Sequence, residues 1–204
     1  YISFSSKLSG AHQAGKLVAG QIEEEYPDTS IDVIDSKAGS VAIGIIAYRA
    51  VKLIEEGISK DEVIKKIKYW ADHIEHLFIL DDLKTLERGG RISKTKSFIG
   101  SVLKIKPILH LNDGKIELLK KARGTKKSIN KLIGLVTEKS IDIKEQLIGI
   151  AHADDLKNAL ILKEKIQEMG GNIFCVELIS SVLGAHLGIG GIGIFFLGTG
   201  YHPD

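Results

Sequence analysis

The chain has 204 residues, 44% of them hydrophobic and 26% charged, with a formal net charge of +2. This is an ordinary soluble globular balance, in a chain long for one domain, short for two and able to bury a substantial core. One cysteine, Cys175, excludes a disulfide framework and a cysteine-based metal site and fits a reducing cytoplasm, and no apolar run reaches the roughly 18 residues of a membrane span.

Tyr1-Ile2-Ser3-Phe4 reads as the end of a strand, so the chain opens inside an element and a preceding segment is expected to be absent. Ser5-Ser6-Lys7-Leu8-Ser9-Gly10 follows, and from Ala11 the spacing turns helical, with Leu8, Ala11, Gly15, Val18, Ala19 and Ile22 on one face. Three hydroxyls, a glycine and the free N–H groups of a helix N-terminus therefore fall together, an arrangement suited to a phosphate or a carboxylate. The plainer reading is that Ser9 or Ser6 only caps the helix.

Ile31–Asp35 is a predicted strand, Val41–Glu56 an apolar helix stopped by Gly57, and Ser59-Lys60-Asp61-Glu62 a capping box opening a helix that runs through His73. A buried-type strand at His76–Leu80 leads through Asp81-Asp82-Leu83 into a short helix ending at Gly89-Gly90. Strands alternating with helices point to a mainly parallel α/β sheet with flanking helices in residues 1–90.

Residues 91–204 read as a smaller, mixed α/β lobe. Its expected elements are a helix at Phe98–Leu103, a strand at Lys104–Leu111, a turn at Asn112-Asp113-Gly114 and a basic helix at Thr125–Lys139. A strand at Gln146–His152, a helix at Asp155–Met169 and a strand at Asn172–Leu178 follow. Val182–Ile192 reads as a glycine loop before a last strand at Gly193–Leu197. Residues 1–90 carry a net charge of −4 and residues 91–204 a net of +6. The excess lies between Arg91 and Lys131, where 12 basic residues meet two acidic ones. Such a stretch is most simply a solvated face. It could also meet an acidic partner, but its interleaved residues are aliphatic, so base stacking on nucleic acid has little support.

Three glycine-associated sites could carry chemistry: the serine stretch; Gly89-Gly90-Arg91-Ile92-Ser93, where Arg91 offers a planar fork of donors; and Gly184–Gly193, with five glycines in ten residues beside His186. The last resembles a dinucleotide loop only superficially, because it enters a strand rather than a helix. Metal binding is not expected: His73 and His76 have no partner at ligand spacing. A nucleophile elbow, a phosphate loop of the Walker type and a catalytic carboxylate pair are all missing from the sequence.

In order and spacing, these pieces resemble the DegV family, the fatty-acid-binding subunits of bacterial fatty acid kinase. The resemblance runs from Ser5–Gly10 through Val33-Ile34-Asp35-Ser36, Asp81–Leu86, Gly89–Ser93, Ile105–Leu109, Asp113–Ile116 and Arg123-Gly124 to Ala185-His186-Leu187-Gly188. It implies a two-lobed α/β fold, with N-terminal strands of the family fold absent from this chain. Ala11-His12 replaces the family's usual Thr-Tyr, and Ile189 stands where proline is common. The missing N-terminal part includes a threonine loop that helps to hold the ligand in the family.

By this resemblance, an acyl chain lies in an apolar tunnel between the lobes, its carboxylate held by Ser5, Ser6 and Gly10 with His186 in the polar network. Arg91 and its basic surroundings face a separate kinase subunit that binds ATP. The chain is then a cytoplasmic lipid carrier rather than an enzyme, without cofactor, metal, nucleic acid or stable membrane insertion. The competing reading is a phosphate-handling enzyme that uses the same serines and glycine at a helix N-terminus.

Overall fold

A computed structural model describes residues 1–92 and 105–199 of the chain. In chain order the elements are β1 (Ile2–Ser3), α1 (Ala11–Glu25), β2 (Ile34–Asp35), α2 (Val41–Glu55), α3 (Lys60–His73), β3 (Ile74–Ile79) and α4 (Lys84–Arg88). They continue with β4 (Ile105–Asn112), β5 (Lys115–Arg123), α5 (Thr125–Lys139), β6 (Leu147–His152), α6 (Leu156–Glu168), β7 (Asn172–Leu178), α7 (Ser181–Leu187) and β8 (Ile192–Leu197). The helix expected at Phe98–Leu103 lies outside the described residues, as do Ser93, Lys94, Lys96 and Lys104.

Side-chain caps open three of the helices among the described residues, α3, α6 and α7. Ser59 accepts the Glu62 amide at 3.5 Å, and Asp61 and Glu62 sit in the first turn of α3, at the positive end of its dipole. Asp155 caps α6 in the same way, through the Asn158 amide. Buried residues recur at helical spacing: Ala42, Ile45, Ile46 and Ala50 in α2; Val63, Ile67, Trp70 and Ala71 in α3.

The mixed α/β class is as expected. The β1–β2 pair is parallel, as predicted for the first lobe. β3 departs from that pattern: it joins a six-stranded sheet of order β5-β4-β3-β8-β6-β7, antiparallel to both β4 and β8. In this sheet only β6 and β7, linked by α6, run parallel. Two local expectations are corrected. The strand predicted over Ile31–Asp35 shortens to Ile34–Asp35. The glycine run contains a helix, α7, which begins where the Ser180 hydroxyl accepts the Leu183 amide and ends at Gly188. Glycine content hid it, because Ser181-Val182-Leu183 supplies a capped first turn that the later glycines do not cancel.

Alternation along the strands sorts the sheet into two faces. Leu77 and Ile79 of β3, Ile148 and Ile150 of β6, and Ile192, Ile194 and Phe196 of β8 pack with α5 and α6 in the larger core. The opposite face carries Phe78, Gly149, Ala151, Gly193 and Phe195, and turns toward α2, α3 and the loop after β1. Small residues on this second face leave room. At Gly149 an added Cβ would lie 2.3 Å from Val41 Cγ1, so the start of α2 rests directly on β6.

Candidate functional site

The serine loop is held from several sides. Ser5 is fully buried; its amide donates to Ala38 O at 2.9 Å, and its hydroxyl donates to Gly114 O at 2.8 Å, in the turn between β4 and β5. Ser6 is exposed and turned to Asp35: its amide donates to Oδ1 at 3.1 Å and its hydroxyl to Oδ2. Burial raises the Asp35 carboxyl, but bonds from the Ser6 hydroxyl and the Lys37 and Ser6 amides outweigh it and keep it below the usual aspartate value. Ser9 Oγ accepts the Ala11 amide at 3.2 Å, and Gly10 is the N-cap of α1.

Between this loop, α2, the end of β7 and α7 lies a cavity of about 800 Å³. Phe4, Leu8, Val41, Ile116, Phe174 and Leu183 make its wall largely apolar, and Ser9, Ser40, Glu177, Ser180, Arg91 and His186 supply the polar positions. A narrower inner chamber of about 70 Å³ shares Phe4, Leu8, Ser40, Ile116, Leu183 and Leu187 with it. This chamber runs along the second face of the sheet past Phe78, Ala151, Gly193 and Phe195. The larger volume lies within the roughly 300–1,000 Å³ of small-molecule sites.

The inner chamber has one buried histidine on its wall. His76 Nε2 accepts the Gly39 amide at 3.2 Å while Nδ1 meets Ile74 O at 3.2 Å, so the ring is a neutral tautomer with both nitrogens engaged. Burial lowers its pKa to about 4. The Gly39 contact steadies the turn into Ser40, which lines both chambers.

Of the residues singled out in the sequence, Arg91 and His186 lie on the cavity wall with Ser9 and Leu8. Ser5, Ser6 and Gly10 are not among the lining residues; they shape the loop that carries Phe4, Leu8 and Ser9. Arg91 donates from Nε to Leu8 O at 3.1 Å and from Nη1 to Gly89 O at 2.6 Å, tying the serine loop to the Gly89-Gly90 turn. An added Cβ at Gly89 would lie 2.5 Å from His186 Nδ1, so this glycine makes room for the imidazole. All three glycine-associated sites of the sequence thus meet at one wall. Sequence reasoning missed Ser40, Glu177 and the small-residue face, although Gly149-Ile150-Ala151-His152-Ala153, alternating small and large, carried that signal. Among the described residues no group of His, Cys, Asp and Glu is placed to hold a metal ion, and no helix is long and apolar enough to cross a membrane.

A family model described as "Uncharacterised protein, DegV family" matches residues 1–199. A DegV domain-containing protein of Clostridium perfringens is 37% identical over 205 residues, covering 100% of this chain and 70% of that protein. A solved DegV family protein of Ruminococcus gnavus with vaccenic acid superposes with a TM-score of 0.88 at 26% identity, over 95% of this chain and 70% of that one. The Streptococcus pneumoniae Fatty Acid Kinase B3 protein loaded with linoleic acid superposes with a TM-score of 0.86 at 27% identity, over 96% and 70%. The family model spans nearly the whole chain and the Clostridium perfringens relative is matched over more than two thirds of its length: the chain belongs to the DegV family.

Proposed function

We propose that this chain is a carrier that holds a long-chain fatty acid in the two-chambered cavity and presents its carboxylate to a separate ATP-dependent kinase subunit, which forms the acyl phosphate. The observation that carries this reading is a largely apolar cavity, with polar positions on its wall, that shares wall residues with an apolar inner chamber on the small-residue face of the sheet. Burying a dozen methylenes there contributes about 10 kcal/mol, at about 0.8 kcal/mol each. The bound vaccenic and linoleic acids of the two structural neighbours support the same ligand class.

The head group belongs at the wide, polar end, against Ser9 and His186 of the wall; Ser6 and Gly10 of the same loop join it as the loop adjusts to the ligand, while Ser5 stays bonded to Gly114 outside the lining. A carboxylate reaching Ser6 replaces Asp35 as acceptor of its hydroxyl, exchanging one charge-assisted bond for another. Arg91 already donates to two backbone carbonyls, so it braces the mouth rather than neutralising the ligand. The carboxylate then stays available as a nucleophile. Arg91 keeps donors beyond those two bonds, and its exposed guanidinium is the contact offered to the kinase subunit.

Organic extraction of the purified protein followed by mass spectrometry is expected to release one long-chain fatty acid in near-equimolar amount. Protein that carries none, and gives no saturable binding of added palmitate, overturns the proposal.

A further inference from the structure

The turn joining β4 and β5 is fastened to the serine loop and its neighbour by contacts outside the cavity lining. Ser5 Oγ donates to Gly114 O in a fully buried setting, 109 positions apart in sequence. Lys37 Nζ lies 2.8 Å from Asp113 and 2.9 Å from Asp72, so one ammonium ties the turn to α3 as well. Those two carboxylates, Asp113 first, hold the Lys37 ammonium well above the usual lysine range, and Lys37 holds Asp113 below the usual aspartate value.

The backbone is shaped for this junction. Lys37 and Asp113 have φ of 51° and 44°, and Gly114 has φ of 77°. At Gly114 a Cβ would also lie 2.6 Å from Ser5 Oγ and 3.5 Å from Lys37 Cα, so glycine serves both the left-handed turn and the close approach. The two strands leaving the turn carry Leu111 and Ile116, which line the inner chamber together with Phe4 and Leu8 of the serine loop. The fastened point therefore closes a seam between two pieces of cavity wall.

We infer that the β4–β5 turn is a clasp on the ligand cavity, and that Ser5, Lys37 and Asp113 are positioning residues setting how fast a fatty acid enters and leaves. The inference rests on the carrier reading above and adds a rate-controlling element outside the ligand's contacts. A gate that must open for passage in both directions changes the association and dissociation rates together and leaves Kd nearly unchanged. Loss of a ligand contact instead raises dissociation alone and weakens Kd in step.

Stopped-flow exchange of cis-parinaric acid on the full chain separates these outcomes. Asp113→Asn is expected to raise both rates by up to about fivefold, the scale of an exposed ion pair, with Kd within about twofold. Exchange by the unaltered protein is expected to speed up with salt, and that dependence should flatten in Asp113→Asn. Gly114→Ala, which strains the turn and displaces Ser5, is expected to give a larger increase of roughly tenfold. Unchanged rates in both variants, or dissociation rising alone with weaker Kd, overturns the clasp while leaving the carrier reading intact. Failure of the unaltered protein to bind the probe overturns the carrier reading and the clasp with it.

Discussion

His76 shows how one residue couples the inner chamber to stability. Its ring is neutral because burial depresses its pKa from 6.5 to about 4, so the unfolded chain takes up a proton between those values and the folded chain does not. The stabilising contribution is fully present above pH 6.5 and is lost as pH falls toward 4, reaching a deficit of about 2 kcal/mol at pH 5. His76→Gln retains an acceptor for the Gly39 amide without the titration. Urea unfolding at pH 7.5 and pH 5 should therefore show a smaller acid loss in the variant than in the parent. Equal losses would mean that the ring is not held neutral by burial.

At the scale of elements, the contact between α4 and α7 joins two sequence motifs nearly a hundred positions apart. Gly89 has φ of −72° and ψ of −11°, an ordinary right-handed conformation, so Gly89→Ala imposes no backbone strain. Its main effect falls on the His186 imidazole, whose Nδ1 would lie 2.5 Å from the new Cβ, against 3.3 Å for the Thr85 carbonyl oxygen. The variant should unfold within about 1 kcal/mol of the parent, while fatty-acid affinity drops by roughly tenfold as the imidazole is displaced. Parallel urea melts and binding titrations test this, and unchanged affinity would remove His186 from the head-group network.

The same elements show what the sequence could reveal. Capping residues and apolar spacing made α2, α3, α5 and α6 legible almost to the residue, because those signals are local. The serine stretch was legible as a loop before a helix, but not the destination of its hydroxyls: nothing near Ser5 encodes a bond to Gly114, and nothing near Ser6 makes Asp35 its partner rather than a ligand. β3 read as an ordinary member of the first lobe, since its place between β4 and β8 depends on pairings with residues up to 197.

Across the whole molecule, the cavity proposed for a lipid and the edge proposed for a partner meet at Arg91. The guanidinium joins Leu8 to Gly89 at the cavity mouth and belongs to the positively charged half of the chain. A carrier has to keep its cargo while a second protein works on the head group, which requires separable determinants for the two tasks. Arg91→Ala removes two neutral-acceptor bonds of the mouth, each worth about 1 kcal/mol, so lipid affinity should fall only modestly. In the reconstituted system it also removes the charge offered to the kinase subunit, whose charge-assisted bonds are individually worth about 1.5–3 kcal/mol. Acyl-phosphate formation should therefore drop by about tenfold more than lipid affinity does, and the deficit should shrink as ionic strength rises and screens the parent's own docking. Equal losses in both measurements would place Arg91 in lipid binding alone and break the proposed division between cavity and docking edge.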